Sequence, residues 1–245
     1  MNQLDFFLQI ISEFFPISSS LFLKILNFND NGLFHIFSGI FFIIIFFQDI
    51  INLKKLEIVK YFLINIPSIV IGLFFKPINE TFPYEIITNI FMAGILYLVV
   101  RKYIKNNYLQ NKNKVLSIKD SIILGLILSI NGFFSGMSRL GTCLTYLLFK
   151  KYSFNKSYKI SLISSIPIVI GKPFYLILKN PLLYEELRHF LSSNYFTIFI
   201  GLILSIFIYI YIISKIKINF LKNFVIFRIC FFVFVFIKNY INIKY

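Results

Sequence analysis

Glu13-Phe14-Phe15-Pro16-Ile17-Ser18-Ser19-Ser20 interrupts an apolar run that otherwise extends over residues 4–29. Proline removes a backbone donor and clashes with the preceding turn, so a helix along this run breaks near Pro16. A second run, residues 120–149, breaks around Asn131-Gly132 and again at Ser135-Gly136-Met137-Ser138-Arg139-Leu140-Gly141-Thr142. Each half is about 10–14 residues, too short to cross a bilayer alone and suited to a re-entrant hairpin. Glu13 is the only charge between Asp5 and Lys24, and Arg139 the only one between Asp120 and Lys150. A charge deep in a bilayer costs at least ~2.5–3.5 kcal/mol, so it usually faces a cavity or a partner.

The rest of the chain explains why these are membrane segments. Of 245 residues, 58% are hydrophobic and 33 are Phe; the mean hydropathy is +0.80. A soluble domain of this size has too little interior for that much apolar surface. Uninterrupted apolar segments at residues 33–51, 57–75, 85–101, 158–178, 194–214 and 219–238 are each long enough to cross a hydrocarbon core ~30 Å thick. The net charge of +15 suggests nucleic acid in a soluble protein, but here it reads as topology lysines in loops. The two cysteines, Cys143 and Cys230, lie in apolar segments and offer neither a disulfide framework nor a zinc spacing. The two histidines, His35 and His189, are far apart. The N-terminus lacks the basic region and small-residue cleavage site of a removed signal peptide.

With two hairpins and six crossings, the loops alternate sides. Loops 52–56, 102–119, 150–158 and 215–222 with their flanks collect sixteen Lys and Arg, and the other side collects six. The positive-inside rule then puts the lysine-rich loops in the cytoplasm and both termini outside. Residues 1–101 read as a hairpin and three spans, and residues 119–238 read the same way, joined by the Lys-rich linker 101–119. Three crossings is an odd number, so the second repeat is inverted. Broken segments at matching positions of inverted halves point to a midplane site. The expected fold is an all-α integral membrane protein of six spanning helices and two re-entrant hairpins arranged as inverted repeats.

The second break offers a guanidinium, hydroxyls at Ser138 and Thr142, and N–H groups at a helix start near Gly141. That set suits a phosphate. The first break offers a carboxylate one turn before three serines. Glu13 could be a general base or hold a divalent cation, and Ser18, Ser19 or Ser20 a nucleophile or phosphate ligand. Gln9 shares the helix face of Glu13. Plainer readings stand beside these. Glu13 and Arg139 could simply pair, the serines could cap helices, and Gly132-x-x-x-Gly136 fits close helix packing. His35 could bond a backbone carbonyl. Arg228, inside the last span, is either a snorkelling side chain or a cavity residue.

Gln9-Ile-Ile-Ser-Glu13-Phe-Phe-Pro16-Ile-Ser-Ser19-Ser resembles the N-terminal signature of the bacterial undecaprenyl-diphosphatase (bacitracin-resistance) family. Ser135-Gly-Met-Ser138-Arg139-Leu-Gly141-Thr is similar to its second signature. Weaker matches follow in order at Ile66-Pro67, Ser161 to Pro167 and Phe224 to Arg228. The chain departs from the family pattern in several places. Gln9 stands where a second glutamate is usual and Phe22 where a histidine is. Leu140 replaces a serine, Ser135 a proline and Cys143 a threonine.

The resemblance implies hydrolysis of undecaprenyl diphosphate to undecaprenyl phosphate, which recycles the cell-wall lipid carrier. It implies Glu13, Ser19 and Arg139 as catalytic residues. Ser18, Ser138, Arg139, Gly141 and Thr142 would hold the phosphate, with Gln9, Ser20 and His35 accessory and Mg or Ca at Glu13. The expected partners are a polyprenyl diphosphate and the bilayer, without nucleic acid; a homodimer is also open. The expected location is the bacterial inner membrane. The departures leave a second reading, a relative that binds or moves a polyprenyl phosphate without hydrolysing it. A third, an unrelated small-anion transporter, fits the motif order poorly.

Overall fold

The computed structural model describes residues 2–28, 32–75, 81–105, 114–134, 136–215 and 218–242. Ser135, Lys76, Lys112, Lys217 and Lys244, all used in the readings above, lie outside those residues, as does part of the 101–119 linker. The described chain is all α-helical: α1 (Gln3–Glu13), α2 (Ser19–Ile25), α3 (Phe34–Ile45), α4 (Phe47–Ile51), α5 (Lys55–Phe74), α6 (Phe82–Lys105), α7 (Ile118–Phe133), α8 (Arg139–Phe149), α9 (Phe154–Lys179), α10 (Leu182–Ser193), α11 (Tyr195–Lys215) and α12 (Ile218–Asn242).

The break after Glu13 and the one before Ser138 fall where the sequence puts them, but no break occurs at Asn131-Gly132: α7 runs through both residues to Phe133, with Gly132 packed on Ile71. After Glu13 the chain tightens: the Phe14 and Phe15 N–H groups donate to Ile11 and Ser12 carbonyls. Ser18 then caps α2 by accepting from the Leu21 N–H. In the second break, Gly136 has φ +87°, and a Cβ there would lie 2.3 Å from the Glu85 carbonyl oxygen. Only glycine fits that conformation and that approach. Ser138 starts α8 by accepting from the Gly141 N–H. The two ends of α7–α8 come back together: Asp120, in the first turn of α7, accepts from Tyr146 Oη at 2.8 Å and Tyr152 Oη at 2.9 Å, at and just beyond the end of α8. A segment whose entry and exit share one carboxylate is a hairpin.

Among the described residues, five helices are long and apolar enough to cross a membrane: α5, α6, α9, α11 and α12. The remaining expected span, residues 33–51, is not one straight helix. It divides at Phe46 (φ −101°, ψ 16°) into α3 and α4. Hydrogen bonds continue across the bend, from Phe46 N to Phe42 O and from Ile50 N to Phe46 O. The buried Phe46 ring packs edge-on to Tyr209 of α11, with centroids 4.9 Å apart; tertiary packing sets this bend. A second difference is α10, which occupies a stretch read as loop. It is anchored by Phe190, whose ring meets Phe6, Phe34 and Phe37.

The helices pair in a regular way. α3 packs on α9, and α6 on α12. α5 packs on α7 and α9, while α11 packs on α1 and α3. Small residues allow the tightest approaches. A Cβ on Gly125 would meet the Leu63 carbonyl at 2.4 Å, and one on Gly132 would meet Ile71 at 2.8 Å, so the glycines of α7 serve packing on α5. α5 and α9 run through Pro67, Pro167 and Pro173 without ending.

Candidate active site

The first break gathers polar side chains around Glu13. Its Oε1 accepts from Gln9 Nε2 at 2.7 Å and from Ser19 Oγ at 2.9 Å. His35 Nδ1, arriving from α3, lies 2.8 Å from the same oxygen. Gln9 sits one turn before Glu13 on α1, and Ser19 is the first residue of α2, so the break itself brings carboxylate and hydroxyl together. The cluster is enclosed: Gln9 is 1% exposed. Gln9 Oε1 and His35 Nε2 have no hydrogen-bond partner. Lys172 of α9, in a span that was read as apolar, lies within electrostatic reach of Glu13.

The second break presents Arg139. The guanidinium forms no ion pair with Glu13 among the described residues, although the two charges are within electrostatic reach. Its Nη2 makes a long contact, 3.4 Å, with Asn65 Oδ1, and its Nε is buried without a partner. The simple pairing of the two break charges is therefore not what the structure contains. Ser138 is 4% exposed and uses Oγ as an acceptor for α8, which leaves its hydroxyl hydrogen available. Thr142 Oγ1 lies 2.9 Å from the Ser138 carbonyl and 3.3 Å from Asn131 Oδ1. Gly141 is set against the first break; a Cβ there would be 3.4 Å from both Cβ and the carbonyl oxygen of Pro16. The Arg139 and Leu140 N–H groups head α8, where no intrahelical acceptor exists.

A polar clasp joins the two breaks. Arg228 of α12, 2% exposed, donates to the Pro16 carbonyl, to Asn89 Oδ1 at 2.8 Å and to the Asn89 carbonyl at 3.2 Å. Asn89 of α6 donates in turn to the Gly136 carbonyl at 2.8 Å. Arg228 is thus neither snorkelling nor lining a cavity: it is buried and bonded to protein groups. Sequence reasoning left it undecided and did not single out Asn89, Asn65 or Lys172. The available signal was a lone polar residue inside an apolar span.

The other expected site residues are less engaged. Ser18 serves as the α2 cap, and Ser20 is half-buried, one residue beyond Ser19. The set around Glu13 does not make a cage for Mg or Ca. Its Oε1 already meets three groups, and its neighbours are an amide and an imidazole, whereas hard cations favour several oxygens. Among the described residues no three His, Cys, Asp or Glu converge, and no step below uses a cation. Behind Phe14, Phe15 and Pro16 lies a small apolar crevice of about 20 Å³, walled also by Leu144, Tyr158 and Phe224.

With this geometry described, comparison with known proteins is decisive at one level. Residues 7–234 match the model of the bacitracin resistance protein BacA family. The chain belongs to that family. Among relatives of this BacA-family chain, a protein of Thermotoga maritima named Undecaprenyl-diphosphatase is 29% identical over 176 residues, 66% of this chain and 73% of the relative. A Thermotoga petrophila protein of the same name is 27% identical over 176 residues, 67% and 73% of the two chains. The match spans both breaks, and it makes this BacA-family chain a multi-pass membrane protein related to named phosphatases.

Proposed function

We propose that this chain is a phosphoric-anhydride hydrolase that converts undecaprenyl diphosphate to undecaprenyl phosphate and inorganic phosphate. The observation that carries the reading is Ser19 Oγ held 2.9 Å from Glu13 Oε1 in one break, while the other break offers a guanidinium that has a long contact with Asn65 and no ion pair among the described residues. Arg139 grips the terminal phosphate with charge-assisted bonds. The Ser138 hydroxyl and the first N–H groups of α8 add donors and a favourable dipole. Gly141, and Thr142 beside it, keep the approach to this turn small and polar.

Ser19 attacks the terminal phosphorus. The Ser19 O–P bond forms, the bridging P–O bond breaks, and the Ser19 proton passes to Glu13. The prenyl monophosphate leaves with the bridging electron pair. Glu13 gives that proton up to solvent; water then attacks the phosphoserine, the Ser19 O–P bond breaks and phosphate departs, with Glu13 taking a proton from the attacking water and passing it to Ser19. Direct attack by water activated by Glu13 is the alternative route to the same products. The apolar crevice beside Pro16, about 20 Å³, is too small for a prenyl tail, which lies among lipid instead.

The pairing of α3 with α9 and α6 with α12, and the exchange of α5–α7 for α11–α1, support an inverted-repeat reading. Together with the lysine count, this favours outward termini and a site opening outward in the bacterial inner membrane. Gln9 and Phe22 favour a second reading, binding of a polyprenyl phosphate without hydrolysis.

One assay separates the two. Purified protein in detergent is given a prenyl diphosphate, and phosphate release and lipid binding are both measured. Hydrolysis predicts release by the parent chain that Arg139→Ala abolishes. Lipid binding with no release above the Arg139→Ala level sinks the hydrolase and supports the binder.

A further inference from the structure

We propose that His35, at the start of α3, is a positioning residue that holds the Glu13 carboxylate on Ser19; the inference rests on the hydrolase reading. A carboxylate only accepts hydrogen bonds, so the 2.8 Å contact between His35 Nδ1 and Glu13 Oε1 puts the proton on Nδ1. Nδ1–H, the Gln9 amide and the Ser19 hydroxyl then all point at one oxygen atom. The 2.9 Å approach of Gln9 Nε2 to His35 Nδ1 becomes a contact of two donors. Turning the amide would set its oxygen 2.7 Å from the carboxylate instead. With Glu13 ionised, no placement of hydrogens satisfies all three edges of this triangle, and the imidazole takes the edge to Glu13.

This arrangement is costly unless it has a use. His35 is 7% exposed and its Nε2 is buried with no partner among the described residues, a desolvation cost that an apolar side chain would avoid. What His35 supplies is a fixed direction. α1 ends at Glu13, and the other two groups bonded to its carboxylate, Gln9 and Ser19, belong to the same hairpin. An imidazole from α3, which packs on α1 and α9, ties the carboxylate to a helix outside the hairpin. The charged groups around the pair are Lys172 of α9 and Arg139 of α8, both within reach of Glu13. Asp5 lies two turns earlier on α1.

The test uses the full chain in detergent micelles. His35→Leu is expected to lower kcat by ~10²-fold, the scale of a misplaced catalytic group, with KM within about twofold. His35→Asn keeps a donor near the Nδ1 position and should retain at least tenfold more activity than His35→Leu. The chain has only two histidines, so ring ¹⁵N labelling reads His35 beside His189. Glu13→Gln should shift the His35 ring signals and leave those of His189 in place. Unchanged His35 signals in Glu13→Gln, or His35→Leu within threefold of the parent kcat, overturns the inference. A parent chain that releases no phosphate overturns the hydrolase reading and the catalytic half of this one, while the ring signals still decide the pairing.

Discussion

Arg228 donates to the carbonyl of Pro16, the residue that separates α1 from α2. The same guanidinium holds Asn89, which holds Gly136 in the other break. Two helix breaks from distant parts of the chain are thereby fixed to one pair of packed helices, α6 and α12. Broken backbone inside a membrane is tolerated only where protein groups satisfy it, and Arg228 does that for Pro16.

Arg228→Met should therefore loosen both breaks together. Loss of bonds from a charged donor costs about 1.5–3 kcal/mol, and the freed carbonyls add to it. The expected result is a lower thermal midpoint in detergent and loss of activity. Asn89→Leu should have the same signature, because each residue depends on the other. Independent, additive effects of the two substitutions would contradict a shared clasp.

Gly136→Ala tests the tip of the second hairpin. Its φ of +87° and the Glu85 carbonyl 2.3 Å from any Cβ leave no room for a side chain. Backbone in that region costs about 1–3 kcal/mol for a non-glycine residue, and the collision adds to it. The substitution should lower thermal stability and activity, whereas Gly94→Ala, where a Cβ meets nothing within 4 Å, should change neither.

Gln9→Glu would place two carboxylates 2.7 Å apart, which needs a proton or a cation between them. The parent chain should be indifferent to millimolar Mg or Ca in a melting experiment. The Gln9→Glu variant should gain stability with added cation, by about 2.7 kcal/mol at one hundred times its Kd. A variant that ignores both cations would count against this placement of Gln9.

Asp120 closes the mouth of the second hairpin, accepting from Ser117, Tyr146 and Tyr152. Asp120→Leu takes this acceptor from the hydroxyls of the buried Tyr146 and Tyr152, and should cost about 1–3 kcal/mol. Because the contact is at the hairpin's mouth, the KM of the remaining folded protein should not move.

What the sequence revealed depended on distance along the chain. The hairpins were legible because Pro16, Gly136 and the flanking serines act locally, through missing donors, φ and caps. Glu13 and Arg139 stood out because a lone charge in an apolar run is conspicuous. The clasp was not legible, since Arg228 and Asn89 acquire their meaning only when α6 and α12 pack. His35 lies 22 residues beyond Glu13 on another helix, and nothing in that spacing specifies a 2.8 Å contact. α10 was hidden by its polarity: Glu185, Glu186 and Arg188 read as loop, although Pro181 and Asn194 bound a helix.

The central claim is that the two breaks form one hydrolytic site. The most direct measurement is initial phosphate release from undecaprenyl diphosphate by the purified chain, set beside Ser19→Ala, Glu13→Gln and Arg139→Ala at equal lipid binding. The account predicts clear release by the parent chain and a loss of at least ~10²-fold in each variant. Release that survives Glu13→Gln or Arg139→Ala, or its absence from a parent chain that binds the lipid, would contradict it.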